Sequence, residues 1–163
     1  MDGTNDRLTI RGTTAADTFT VSGTTAALAA SQGVDTISGM EALTIDGREG
    51  FDTFNVTPGA IPISIDGGDP IGALPGDLLN ITADGAVTLH AGPENDEGSL
   101  VDGANAPVSF DHVESISVTG GTSATVNGTN ASDVITVIAR DHTTHGAIPN
   151  DAMSGVRDFT VSV

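Results

Sequence analysis

The sequence predicts an all-β fold built from repeats, a β-solenoid, on three observations. One phrase recurs: a Gly, four residues, an Asp, then an alternating apolar strand. It reads GTTAADTFTV at residues 12–21, GREGFDTFNV at 47–56, GALPGDLLNI at 72–81 and GTNASDVITV at 128–137. Thr, Val and Ile dominate the alternating segments, as a half-buried pleat favours. No window holds a helical period, and 21 glycines break any longer helix. Repeat units of this size bury their apolar faces against neighbouring units.

The elements follow in order from the period of two. LTI (8–10) leads into the Gly12 turn, and TFTV (18–21) leaves it. ALTI (42–45) and TFNV (53–56) bracket the Gly47 turn in the same way. Strands are expected next at 61–65, 78–81 and 86–89, then at 115–118 and 124–126 around the GG pair at 120–121. The last two are 134–138 and 159–163. DG, GG, NG and PG dipeptides punctuate them as turns. Residues 90–107 (HAGPENDEGSLVDGANAP) interrupt the repeat and read as an irregular loop or insertion.

Repetition has a second level. Residues 12–45 lie over 128–161 at an offset of 116, and an offset of 35 links 8–21 to 43–56. Phrases that open on an acid begin at Asp6, Asp17, Glu41, Asp52, Asp77, Glu114 and Asp133. Spacings of 24 and 25 suit one coil of a solenoid, and spacings of 11 suit two sides of one coil. The alternative is an antiparallel β-sandwich, in which the same phrases would be hairpins. Length favours one domain over residues 1–163. The pattern opens and stops on strands in mid-unit, so the expected partners are copies of the chain or neighbouring repeats, joined at sheet edges.

Composition narrows the function. Twenty-two acidic residues against five basic ones leave a net charge of −17. That excludes a nucleic-acid footprint, which needs a basic face. No hydrophobic run approaches the ~18 residues of a membrane span, so membrane insertion is not expected. Cys is absent, so there is no disulfide framework. Trp and Tyr are absent too, which argues against glycan binding, because sugars stack on those rings. No G-x-S-x-G elbow or nucleophile setting occurs, so no catalytic residues are assigned. A polysaccharide-active β-helix with paired carboxylates remains a distant alternative.

GREGFDTFNV resembles one copy of the nonapeptide of haemolysin-type (RTX) calcium-binding proteins, G-G-x-G-x-D-x-U-x. Gly47, Gly50, Asp52 and Phe54 sit on that pattern, and Arg48 replaces its second Gly. The wider layout resembles degenerate repeats of large secreted and surface proteins of bacteria. The resemblance implies an extracellular, β-rich repeat protein with calcium as its cofactor. Two readings of the turn acids follow. Asp17 and Asp52 would lie close together in stacked coils, where Ca²⁺ would offset their repulsion. Alternatively each accepts hydrogen bonds from its own turn. The loop DGGDPIGALPGD offers a second calcium set, Asp66, Asp69 and Asp77. His142 and His145 form a weaker candidate pair for a transition metal.

The function expected from these features is a non-catalytic structural or adhesive module on the cell surface that associates with itself as a filament subunit. The competing expectation is a calcium-dependent binding module.

Overall fold

Short runs of alternating Thr, Val, Ile and Leu turn every second side chain inward, and the chain answers with short strands throughout. The computed structural model describes residues 6–28, 34–37, 39–73, 75–132, 136–140 and 158–162, and all regular structure among them is β. The chain divides into two compact units, Met1–Asn127 and Gly128–Val163.

The described residues of the first unit form thirteen strands in two sheets. β1 (Arg7–Arg11), β5 (Ala42–Asp46), β7 (Ile63–Asp66) and β11 (Val108–Asp111) lie side by side, all parallel. β10 (Gly98–Asp102), β9 (Ala86–Ala91) and β13 (Ser123–Asn127) extend them to a seven-stranded sheet. β12 (Ser115–Gly120), β8 (Leu78–Ala83), β6 (Thr53–Thr57) and β2 (Thr18–Ser22) make the parallel part of the six-stranded sheet. β3 (Thr25–Leu28) and β4 (Val34–Thr36) complete it.

At each phrase the chain passes from one sheet to the other: β1 to β2, β5 to β6, β7 to β8, β11 to β12. Every arrival lands parallel and in register on its predecessor. Thr9, Thr44, Ser64 and Ser109 align on one sheet. Thr20, Asn55, Asn80 and Ser117 align on the other. Both sheets are mixed and neither closes, so the phrases are not the hairpins of an antiparallel sandwich.

The uneven spacing has a physical origin. The direct return from Leu43 to Ile63 takes 20 residues. The return from Leu8 to Leu43 takes 35, because β3 and β4 fold out as an antiparallel excursion on β2. The return from Leu79 to Ile116 takes 37, because β9 and β10 do the same on the other sheet. Residues 90–107, expected as an irregular loop or insertion, hold the end of β9 and the whole of β10, with turns and loop between and after them. β10 is antiparallel to both β9 and β11. β7 begins at Ile63, later than the expected 61, because Pro62 has no N–H to give to the ladder. Its carbonyl still accepts from Leu43 N–H at 3.0 Å.

Inward side chains stack in columns. Phe19 and Phe54 stack face to face with centroids 5.1 Å apart, and Leu79 continues their column. Val21, Val56 and Ile81 form the next column, and Leu43, Ile63 and Val108 form a column on the other sheet in the same core. All are buried. Each such side chain contributes about 2 kcal/mol on leaving water.

In the second unit β14 (Thr136–Arg140) pairs antiparallel with β15 (Asp158–Ser162), Val137 opposite Val161. The terminal strand expected at 159–163 thus has a partner within its own unit. His142 and His145 lie outside the described residues, as does Asp133.

Candidate functional site

The recurring Gly and Asp mark the corner where the chain changes sheet. Residues Gly12, Gly47 and Gly67 open successive corners, each giving its N–H to the last residue of the neighbouring parallel strand. Their acceptors are Asp46 at 2.8 Å, Asp66 at 2.8 Å and Asp111 at 2.9 Å. A Cβ on Gly47 would run into the carbonyl oxygen of Gly67 and come within 2.5 Å of Asp52 Oδ2. Gly67 is the third corner, not the Gly72 of the sequence phrase. Gly72 lies in a five-residue insertion between Gly67 and Asp77, with open space around it. At the fourth corner His112 takes the glycine's place with φ of 53°, and the turn is cut short.

Each corner ends on an acid, and the acids form a column. Asp17 N–H donates to Asp52 Oδ1 at 2.7 Å, and Asp52 N–H donates to Asp77 Oδ1 at 2.6 Å. Asp77 N–H donates to Glu114 Oε2 at 2.7 Å. The longer Glu side chain spans the shortened corner. Its other oxygen accepts from Gly72 N–H at 2.7 Å and pins the inserted loop. The carbonyls complete each step: Asp17, Asp52 and Asp77 accept from Thr53, Leu78 and Ser115 N–H at 2.9, 2.9 and 3.0 Å. Asp6 and Glu41 repeat the device at the opposite corner, N–H to Oε2 at 2.6 Å. The carboxylates of Asp52, Asp77 and Glu114 each tie their own layer to the one before it, whereas that of Asp17 accepts from Thr13 N–H at 2.6 Å in its own turn.

Asp52 and Asp77 are 1% and 0% exposed, and the Oδ2 of each has no hydrogen-bond partner. Burial pushes the Asp52 carboxyl up to about 6. The Asp17 amide opposes that rise, and the charges of Asp77 and Asp17 add to it. Burial also raises Asp77, against the Asp52 amide and with help from Glu114 and Asp66. Asp102 is buried but behaves oppositely. Burial would raise it, yet N–H groups of Asp84 and Gly85 and the Asn105 amide hold it below the usual carboxylate range. Sequence reasoning missed Asp102, although the DG dipeptide at 102–103 was a signal. It also missed the role of Glu114, which it read only as a phrase start.

Of the residues expected to hold calcium, the fold stacks Asp17, Asp52 and Asp77 in one column. Asp66 and Asp69 stay exposed. Asp66 pairs with His112 Nδ1 at 2.9 Å, which holds the imidazole above its ordinary pKa. Asp69 uses its backbone, donating to Arg48 and accepting from Gly50. Among the described residues no three His, Cys, Asp or Glu side chains converge as a metal set. Arg48, at the second glycine of the nonapeptide pattern, holds φ of 80°, a conformation that glycine adopts with least strain.

The same local bond occurs at two positions 116 residues apart. Ala15 N–H donates to Thr13 Oγ1 at 3.2 Å, and Ala131 N–H donates to Thr129 Oγ1 at 3.1 Å. In comparisons with known proteins, no family model, no curated protein and no solved structure matches this chain.

Proposed function

We propose that this chain is a non-catalytic structural or adhesive module, a β-solenoid unit exposed outside the cell, that associates with copies of itself or with neighbouring repeats. The observation that carries the reading is the acid column. The carboxylates of Asp52, Asp77 and Glu114 each accept from the amide of the preceding layer, so the repeated acid serves stacking. A catalytic centre would need an asymmetric set of groups around a cleft. Among the described residues of the first unit, the outer edges of β1 and β12 carry no further strand, whereas β3 and β4 cover β2. Unpaired edges of parallel sheets are templates for strand addition. Light scattering and electron microscopy of the isolated chain test the reading: it expects growing, elongated assemblies. A species that stays monomeric at high concentration contradicts it.

A calcium-dependent module is the second reading, favoured by the unpartnered Oδ2 atoms of Asp52 and Asp77. Hard cations seek such oxygens. Calorimetric titration with Ca²⁺ tests it, and an absence of binding heat removes it.

A further inference from the structure

The outward face of the six-stranded sheet is chemically unlike the rest of this acidic chain. Three rows cross it in register. The first holds Thr18, Thr53, Leu78 and Ser115. The second holds Ala27, Thr20, Asn55, Asn80 and Ser117, and the third holds Thr25, Ser22, Thr57, Thr82 and Thr119. None of these positions is charged, and all lie at the surface, exposed or half-buried. On the other sheet the matching outward positions include Arg7, Arg11, Asp46, Asp66 and Asp111. The rows already use their polar groups laterally: Asn80 Nδ2 donates to Asn55 Oδ1 at 3.0 Å.

We infer that this neutral hydroxyl and amide face is where a second copy of the chain docks, sheet face to sheet face. The inference rests on the self-association proposed above and assigns it a surface. Charge selects the occupant. Two chains of −17 repel wherever carboxylates meet carboxylates, and this face brings none. Its chemistry is complementary to itself, because each hydroxyl or amide carries both donor and acceptor. Asn ladders and in-register identical rows interdigitate in paired sheets. An aromatic-free face gives sugars nothing to stack on, and a face without Arg or Lys gives nucleic acid no counter-charge. The described part of the face spans roughly 24 Å by 17 Å from the spacing of strands and residues. That is roughly 400 Å² per copy, the size of a weak contact. Association is therefore weak for one pair and strengthens with salt, as screening relieves the charge on the other faces.

Sedimentation equilibrium of the full chain over a wide concentration range, at low and high salt, tests this. Two face variants, Thr57→Asp and Thr119→Asp, are measured singly, with Ser64→Asp on the opposite sheet as control. Circular dichroism checks that each folds, and Thr119 on the edge strand β12 is the site least able to disturb the core. The expected result is association that rises with salt and drops roughly tenfold or more in both face variants, as a like charge placed across a contact requires, while the control matches the parent. Association unchanged in both face variants overturns the face assignment and leaves self-association standing. A chain monomeric at every concentration overturns both. A monomeric chain retained on crystalline polysaccharide, and released by the same variants, assigns the face to a foreign neutral lattice instead.

Discussion

Asp52 uses one carboxylate oxygen on the Asp17 amide and leaves the other buried without a donor. A protonated carboxyl is therefore the more comfortable state inside the fold, and its pKa rises from 3.8 to about 6. The sign is opposite to that of a salt-bridged acid. Stability from this group is full below pH 3.8 and is lost as pH rises through about 6. The difference is worth about 3 kcal/mol at 1.36 kcal/mol per unit. Thermal melts should show Asp52→Asn flattening the pH dependence between 4 and 7 relative to the parent (the window set by the two pKa values). A variant with the parent's slope would show that Asp52 is not the titrating group. The glycines give a second test at this scale. Gly47→Ala drives a methyl into the Gly67 carbonyl and Asp52 and should cost about 3 kcal/mol. Gly72→Ala meets nothing, and only its φ of 68° resists, at about 1 kcal/mol. Urea denaturation of the two variants measures the difference, and equal losses would contradict the assignment of Gly67 as the third corner.

Strand by strand, the sheet order sets which backbone amides are sheltered. β6 and β8 have parallel neighbours on both sides, and β2 is covered by β3, while β1 and β13 end one sheet and β12 and β4 the other. Hydrogen exchange should find the β2 amides as protected as those of β6, and those of the four end strands the first to exchange. Fast exchange in β2 would mean that the β3–β4 excursion is not a cover. Much of this layout was legible in the sequence, because LTIR, LTID and TFNV alternate cleanly and sit at equal distance from a Gly and an Asp. The spacing of 11 between acids is the step from one sheet to the other, from β1 to β2 and from β5 to β6. β3, β4, β10 and β11 were not legible. TAAL reads as a weak helix former, and Gly98–Asp102 sits among Gly, Asn and Pro. What makes them strands is pairing with β2, β3, β9 and β7, which local pattern does not contain. The stacking of Asp17 on Asp52 was legible from the 35-residue offset. The capture of one layer's amide by the next layer's carboxylate was not, since it depends on side-chain reach across strands.

The whole chain carries a net charge of −17, and in its first unit the acids Asp52, Asp77 and Glu114 accept from its own backbone. Its self-repulsion should yield to any salt alike, because screening depends on ionic strength and not on the identity of the cation. Sodium and calcium therefore separate a stacking device from an ion site. If the column bound Ca²⁺, a hundredfold excess over its dissociation constant would add ~2.7 kcal/mol. The most direct measurement is the melting temperature of the whole chain in calcium and in EDTA with sodium, at matched ionic strength and pH. The stacking account predicts the same transition in both, and a transition several degrees higher in calcium would contradict it.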